Sequence, residues 1–202
     1  MTEKRLTIKD AEESRLKNII DMAFAFTSMT RVFEAESSEK IIELLRDKFK
    51  RLDDIRDIGA YRDLHEEFCT DFVNLIKTSP RKNHPSGTVS YGQAAKVFDI
   101  AVKVYVYYCE YSDEQRSRLM LMMYGAIDTP ILKHLKSEYK DRGILAATIS
   151  DIDKELYLSL QDLIKREIEL NGDGCTMPVQ YDDIMWRRLK EEDARKKREK
   201  GR

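Results

Sequence analysis

Cysteine, histidine, glycine and proline are all scarce in this chain, and each scarcity removes a class of protein. The three cysteines, Cys69, Cys109 and Cys175, are far apart and odd in number. Without a Cys-x-x-Cys they supply neither a disulfide framework nor a zinc knuckle, so a reducing, cytoplasmic setting is expected. Three histidines, none in a nucleophile-type motif, give no Ser/His/Asp or Cys/His arrangement. The glycines form no phosphate-binding loop. The prolines, Pro80, Pro85, Pro130 and Pro178, read as punctuation between helices. No apolar run approaches ~20 residues, so no membrane span is expected. No apolar signal core follows Met1–Arg5. Net charge is only −1, which leaves the whole molecule without a pull toward DNA or a membrane; any attraction must come from a local patch. Neither a cofactor nor a metal is expected.

What the chain does have is charge and helical periodicity. Charged residues make up 36%, against a usual ~25%, while hydrophobic residues make up 42%. That balance suits helices with charged outer faces. At this length a chain buries roughly 70% of its unfolded surface and needs no staple to hold a core. The expectation is an all-α, single-domain orthogonal bundle of about seven helices over 1–190, with a charged extension over 191–202.

Apolar stripes place the first helix at about 9–30, the second over 40–52 behind Ser37 or Ser38, and the third at about 60–78. Residues 79–89 are polar and basic and read as a loop. The next helix, about 90–111, is apolar almost all round, which marks it as the centre of the bundle. The β-branched content of 102–108 also suits a buried strand. Lys96, Asp99, Lys103 and Glu110 fall three, four and seven apart, however, and so share one helical face. Shorter helices follow over 113–124 and 128–140. A long one runs from Ile152 to Leu170, closed by Asn171-Gly172-Asp173-Gly174. The last starts near Pro178.

Candidate chemistry is sparse. His65 and Cys69 lie four apart, a metal-holding spacing without further local ligands; the alternative is a buried cysteine and a boundary histidine. The tyrosines at 105, 107, 108, 111 and 124 serve either base stacking or core packing. From Arg187 to Arg202 the chain carries nine basic and four acidic residues, a nucleic-acid tail or a solvated helix end.

Ser90-Tyr91-Gly92-Gln93-Ala94-Ala95-Lys96 is followed by Ile127-Asp128-Thr129-Pro130-Ile131-Leu132 and by Tyr181-Asp182-Asp183-Ile184-Met185-Trp186. This order resembles a bacterial family of helical proteins with a Ser-Tyr-Gly-Gln-Ala-x-Lys signature and no assigned activity. The resemblance covers roughly 85–190. The same order is distantly similar to helix-hairpin-helix DNA glycosylases, in which a glycine turn grips DNA backbone through main-chain N–H groups. That resemblance implies a phosphate grip at Gly92, catalysis by Asp128 and a nucleophilic role for Lys96. The spacing departs from that pattern, since Gly87 and Gly92 are five apart and Lys96 lies four after Gly92. The alternatives are a helix-capping Asp128 and surface ion pairs at Lys96, Asp99 and Lys103.

Two functional expectations follow. One is DNA or RNA binding through Arg81, Lys82, His84, Gly92, Lys96 and Lys103, extending to base excision at Asp128. The other is a non-catalytic helical accessory subunit with a protein partner.

Overall fold

A computed structural model describes residues 7–79, 87–109, 111–172, 174 and 176–200. It is an all-α bundle with eight α-helices and no strands among the described residues. In order these are α1 (Ile8–Phe26), α2 (Ser37–Leu52), α3 (Ile58–Leu75), α4 (Tyr91–Tyr108), α5 (Asp113–Met122), α6 (Thr129–Glu138), α7 (Lys154–Asn171) and α8 (Pro178–Lys200). No helix is long and apolar enough to cross a membrane among the described residues.

The helix starts are written in local chemistry. Ser90 opens α4 with a capping box: its hydroxyl accepts the Gln93 N–H at 3.1 Å, and the Gln93 side chain accepts the Ser90 N–H at 2.9 Å. Ser112 does the same for α5 with Gln115. Asp57, Asp128 and Asp153 cap α3, α6 and α7, each accepting a backbone N–H three residues on. At its other end α1 stops at Phe26, short of the expected residue 30. There the Thr27 hydroxyl donates to the Phe24 carbonyl at 2.7 Å and accepts the Met29 N–H at 3.1 Å, and Ser28 turns to a positive φ of 56°.

The central helix is α4, which packs on α1, α2, α3, α5 and α7. That enclosure explains its composition, and residues 102–108 are helical as their polar spacing predicts. The enclosure also corrects a sequence reading. Asp99 and Lys103 do not face solvent; they are 2% and 8% exposed. His65 is no boundary residue either, at 1% exposure. Between α2 and α3, the buried Lys48 ammonium meets Glu67 at 2.6 Å and Asp71 at 3.0 Å.

The first turn of α4 also rests on a short 3₁₀ turn at Ile149–Asp151. The Ser90 hydroxyl donates to the Ile149 carbonyl at 2.8 Å, so this one side chain serves a cap and a tertiary contact. Ser90→Ala is expected to destabilise the fold by ~1–2 kcal/mol in urea unfolding. A loss below ~0.5 kcal/mol would show that the hydroxyl is dispensable.

A cleft between the central and last helices

The three segments that carry the family resemblance converge on one half-open cleft of about 410 Å³. From the first comes Lys96 on α4; from the second, Asp128 and Ile131 at the start of α6; from the third, Asp182, Asp183 and Trp186 on α8. Apolar and aromatic walls come from Ile100, Tyr107 and Tyr108 of α4 and from Phe26 at the end of α1. Thr27, Ser28 and Arg187 complete the rim. The volume lies within the ~300–1,000 Å³ of small-molecule sites. The left-handed Ser28 sits on this rim, a backbone strain of the kind that collects at functional sites.

Lys96 is half-buried. Burial lowers its pKa, and the Asp128 carboxylate opposes that shift only in part. Its ammonium forms no ion pair within 4.0 Å with a described residue, although Asp128 lies close enough to act on it through charge. Asp128 uses one oxygen to cap α6, accepting the Ile131 N–H at 3.0 Å. Asp128 is thus a helix cap, as the alternative expected, and it also lines the cleft.

Lys103 is different. Its ammonium is held by Asp182 in a short contact and by Asp183 at 2.8 Å, which neutralises it within the fold. Tyr107 donates to Asp183 at 3.5 Å. Asp182 has its second oxygen, Oδ1, buried without a hydrogen-bond partner. Burial pushes the Asp182 carboxyl up to about 6, against the lowering pull of Lys103. A buried acceptor left unsatisfied is costly and invites a donor. Trp186 is exposed on one side, while Lys190 lies 3.6 Å from its ring centroid in a cation–π contact.

The other expected contacts fare unequally. The Gly92 N–H donates to the Ile152 carbonyl at 2.9 Å, so this amide is committed within the fold and is not offered to a phosphate. Lys103 has no free charge to offer. Arg81, Lys82 and His84 lie outside the described residues, as does Cys175. Of the proposed site, Lys96 and Asp128 are brought together.

The tyrosines divide between core and cleft. Tyr105 packs on Phe49 with ring centroids 4.3 Å apart, and Tyr124 is buried beside Tyr61 and Tyr157. Tyr107 and Tyr108 line the cleft. Trp186 and Arg187 were legible only as parts of a motif and a charge run; the folded chain gives them the cleft.

A second polar cluster is sealed in the core. His65 Nε2 lies 3.1 Å from Asp99 Oδ1, and the Tyr157 hydroxyl donates to Asp99 Oδ2 at 2.8 Å. Cys69 Sγ lies 3.7 Å from His65 Nδ1 and the Tyr91 hydroxyl 3.5 Å from it. Burial acts to lower the His65 pKa; Cys69 and Asp99 outweigh it and push it up to about 10. Among the described residues no three or more His, Cys, Asp or Glu side chains are placed so that they could hold a metal ion. No family model, curated protein or solved structure matches this chain.

Proposed function

We propose that the cleft binds an unstacked nucleobase, and that the protein is nucleic-acid-associated through it. The observation that carries this reading is the convergence of Lys96, Asp128 and Asp182, whose carboxylate holds one unpartnered buried oxygen, around a cavity walled by Tyr107, Tyr108 and Trp186. A nucleobase is flat and offers donors and acceptors along one edge. Its faces suit the aromatic walls, its exocyclic N–H suits a carboxylate, and its ring carbonyl or nitrogen suits the Lys96 ammonium. The cleft carries carboxylates as well as cations, which favours a base over a phosphate as the enclosed group.

The only tryptophan of the chain lines this cleft, so its fluorescence reports occupancy. Nucleoside monophosphates are expected to quench it saturably. Asp128→Asn and Lys96→Met are each expected to weaken binding about tenfold, the worth of one charge-assisted hydrogen bond. Binding is also expected to fall as pH drops through about 6, because protonated Asp182 gives up its acceptor. Absence of quenching by all four common nucleotides at millimolar concentration would sink the reading. By the glycosylase resemblance, Lys96 and Asp128 are also the pair for base excision. Release of free base from a lesion-bearing oligonucleotide, abolished in Asp128→Asn, tests that step.

A second reading has its own support. Phe26 and Tyr108 leave apolar side chains exposed at the cleft mouth, and Met22 is exposed beside Tyr108 in a neighbouring depression, which favours a helical protein partner in an accessory-subunit role. Nucleotides would not quench Trp186 under that reading alone.

A further inference from the structure

Beyond Leu189, α8 continues to Lys200, and every described side chain on it is exposed. Nothing apolar holds this arm. Among its described side chains two surface ion pairs brace it, Lys196 with Glu192 at 3.9 Å and Arg195 with Glu199 at 4.0 Å. Pairs of this kind contribute little to stability, so packing does not account for the arm.

Its charge is distinctive. Residues 195–202 carry six basic and one acidic residue, a net +5, and the remaining 194 residues carry −6. A nearly neutral molecule is therefore an acidic body with a basic arm. The arm is also continuous with the cleft, because the helix that supplies Trp186 and Arg187 is the helix that projects. Lys190, Glu191, Ala194 and Arg198 follow Arg187 at three, four, seven and eleven residues, so they share its face. Arg187, Lys190 and Arg198 thus place cations outward along this face, with Glu191 as its one acidic member. From Arg187 to Arg198 the helix rises about 16 Å, close to five phosphate spacings of a stacked strand.

We propose that this arm is an electrostatic rail for the phosphates of a single strand whose base occupies the cleft. The inference rests on the nucleobase reading of the cleft and names the partner as a polymer instead of a free nucleotide. A linear polyanion fits a linear array of cations. A membrane surface fits less well, since an interfacial helix needs an apolar face and the sequence after Leu189 offers none.

The test compares full-length wild type with the triple variant Arg195→Gln, Lys197→Gln, Arg198→Gln. Trp186 quenching is read with a mononucleotide and with a twelve-nucleotide single strand at 50 mM salt, and anisotropy of the labelled strand is read in parallel. Wild type is expected to bind the strand at least about tenfold tighter than the mononucleotide. The triple variant should lose that advantage, show a shallower salt dependence, and keep the mononucleotide affinity. Equal affinity for strand and mononucleotide, or a strand affinity unchanged in the triple variant, would overturn the rail. Strand binding by anisotropy that depends on the arm but leaves Trp186 unquenched would keep the rail and refute the cleft. No anisotropy change at low salt, with arm-dependent sedimentation on anionic vesicles or without it, would refute the rail directly.

Discussion

Asp99→Ala is expected to destabilise the fold by about 3–5 kcal/mol, because it strands a buried cation. His65 and Asp99 are both sealed in the core, and Tyr157 adds a third member through its hydroxyl. The imidazole is held protonated well above its ordinary range. Removing the carboxylate leaves that charge, and the Tyr157 hydroxyl, without their partner. The melting temperature should fall by roughly 10 °C for a chain of this size. A loss of under ~1 kcal/mol would mean that the core relaxes around the cluster and that the pair is not what holds it.

The same pair sets a pH dependence whose sign is fixed. The folded pKa of His65, about 10, lies above its ordinary value of 6.5. Its stabilising contribution is therefore fully present below about pH 6.5 and is lost as pH rises toward 10. Asp99 acts in the same direction at lower pH, since burial raises its pKa and His65 only partly offsets that. Urea midpoints at pH 6 and pH 9.5 should fall with pH in wild type and change much less in His65→Gln. Parallel slopes in the two proteins would refute the assignment.

Gly92→Ala is the second large effect, and two opposing terms decide its sign. In an isolated helix alanine is better than glycine by ~1 kcal/mol. Here an added Cβ would lie 2.6 Å from Ile152 Cβ and 2.7 Å from the Ile149 carbonyl oxygen. One of those neighbours is backbone, so the strain cannot be released by turning a side chain. Separating the two segments would also break the Gly92 N–H bond to Ile152. The net expectation is a loss of about 1–3 kcal/mol or more in thermal or urea unfolding. A neutral or more stable variant would show that the docking of 149–152 on α4 is loose. The variant also discriminates between two roles for this glycine. A phosphate grip predicts weaker nucleic-acid binding at unchanged stability, whereas packing predicts the reverse.

Much of the fold was legible because its signals are local. Ser90 with Gln93, and Asp128 with Pro130 behind it, announce helix starts from residues no more than three apart. The apolar girth of α4 announced a central helix. What could not be read was where the polar stripe of that helix would point. Lys96, Asp99 and Lys103 share a face by periodicity, which ordinarily means solvent. In an enclosed helix each instead meets a partner far away in sequence: Asp99 finds His65 and Tyr157, Lys103 finds Asp182 and Asp183, and Lys96 faces the charge of Asp128. Buried polar groups must be paired, but periodicity does not say with what. The candidate site was legible in the same uneven way. Its separate pieces stood out as three short motifs, while their meeting in one cleft depended on the path of the chain between them.

The cleft draws its walls from the end of α1, the middle of α4, the start of α6 and the first turns of α8. Its first wall is therefore synthesised long before its last. A nascent chain emerging at ~5–20 residues per second holds no cleft until α8 has left the ribosome and docked. Whatever the cleft binds, it can be bound only once α8 has docked against the helices made before it.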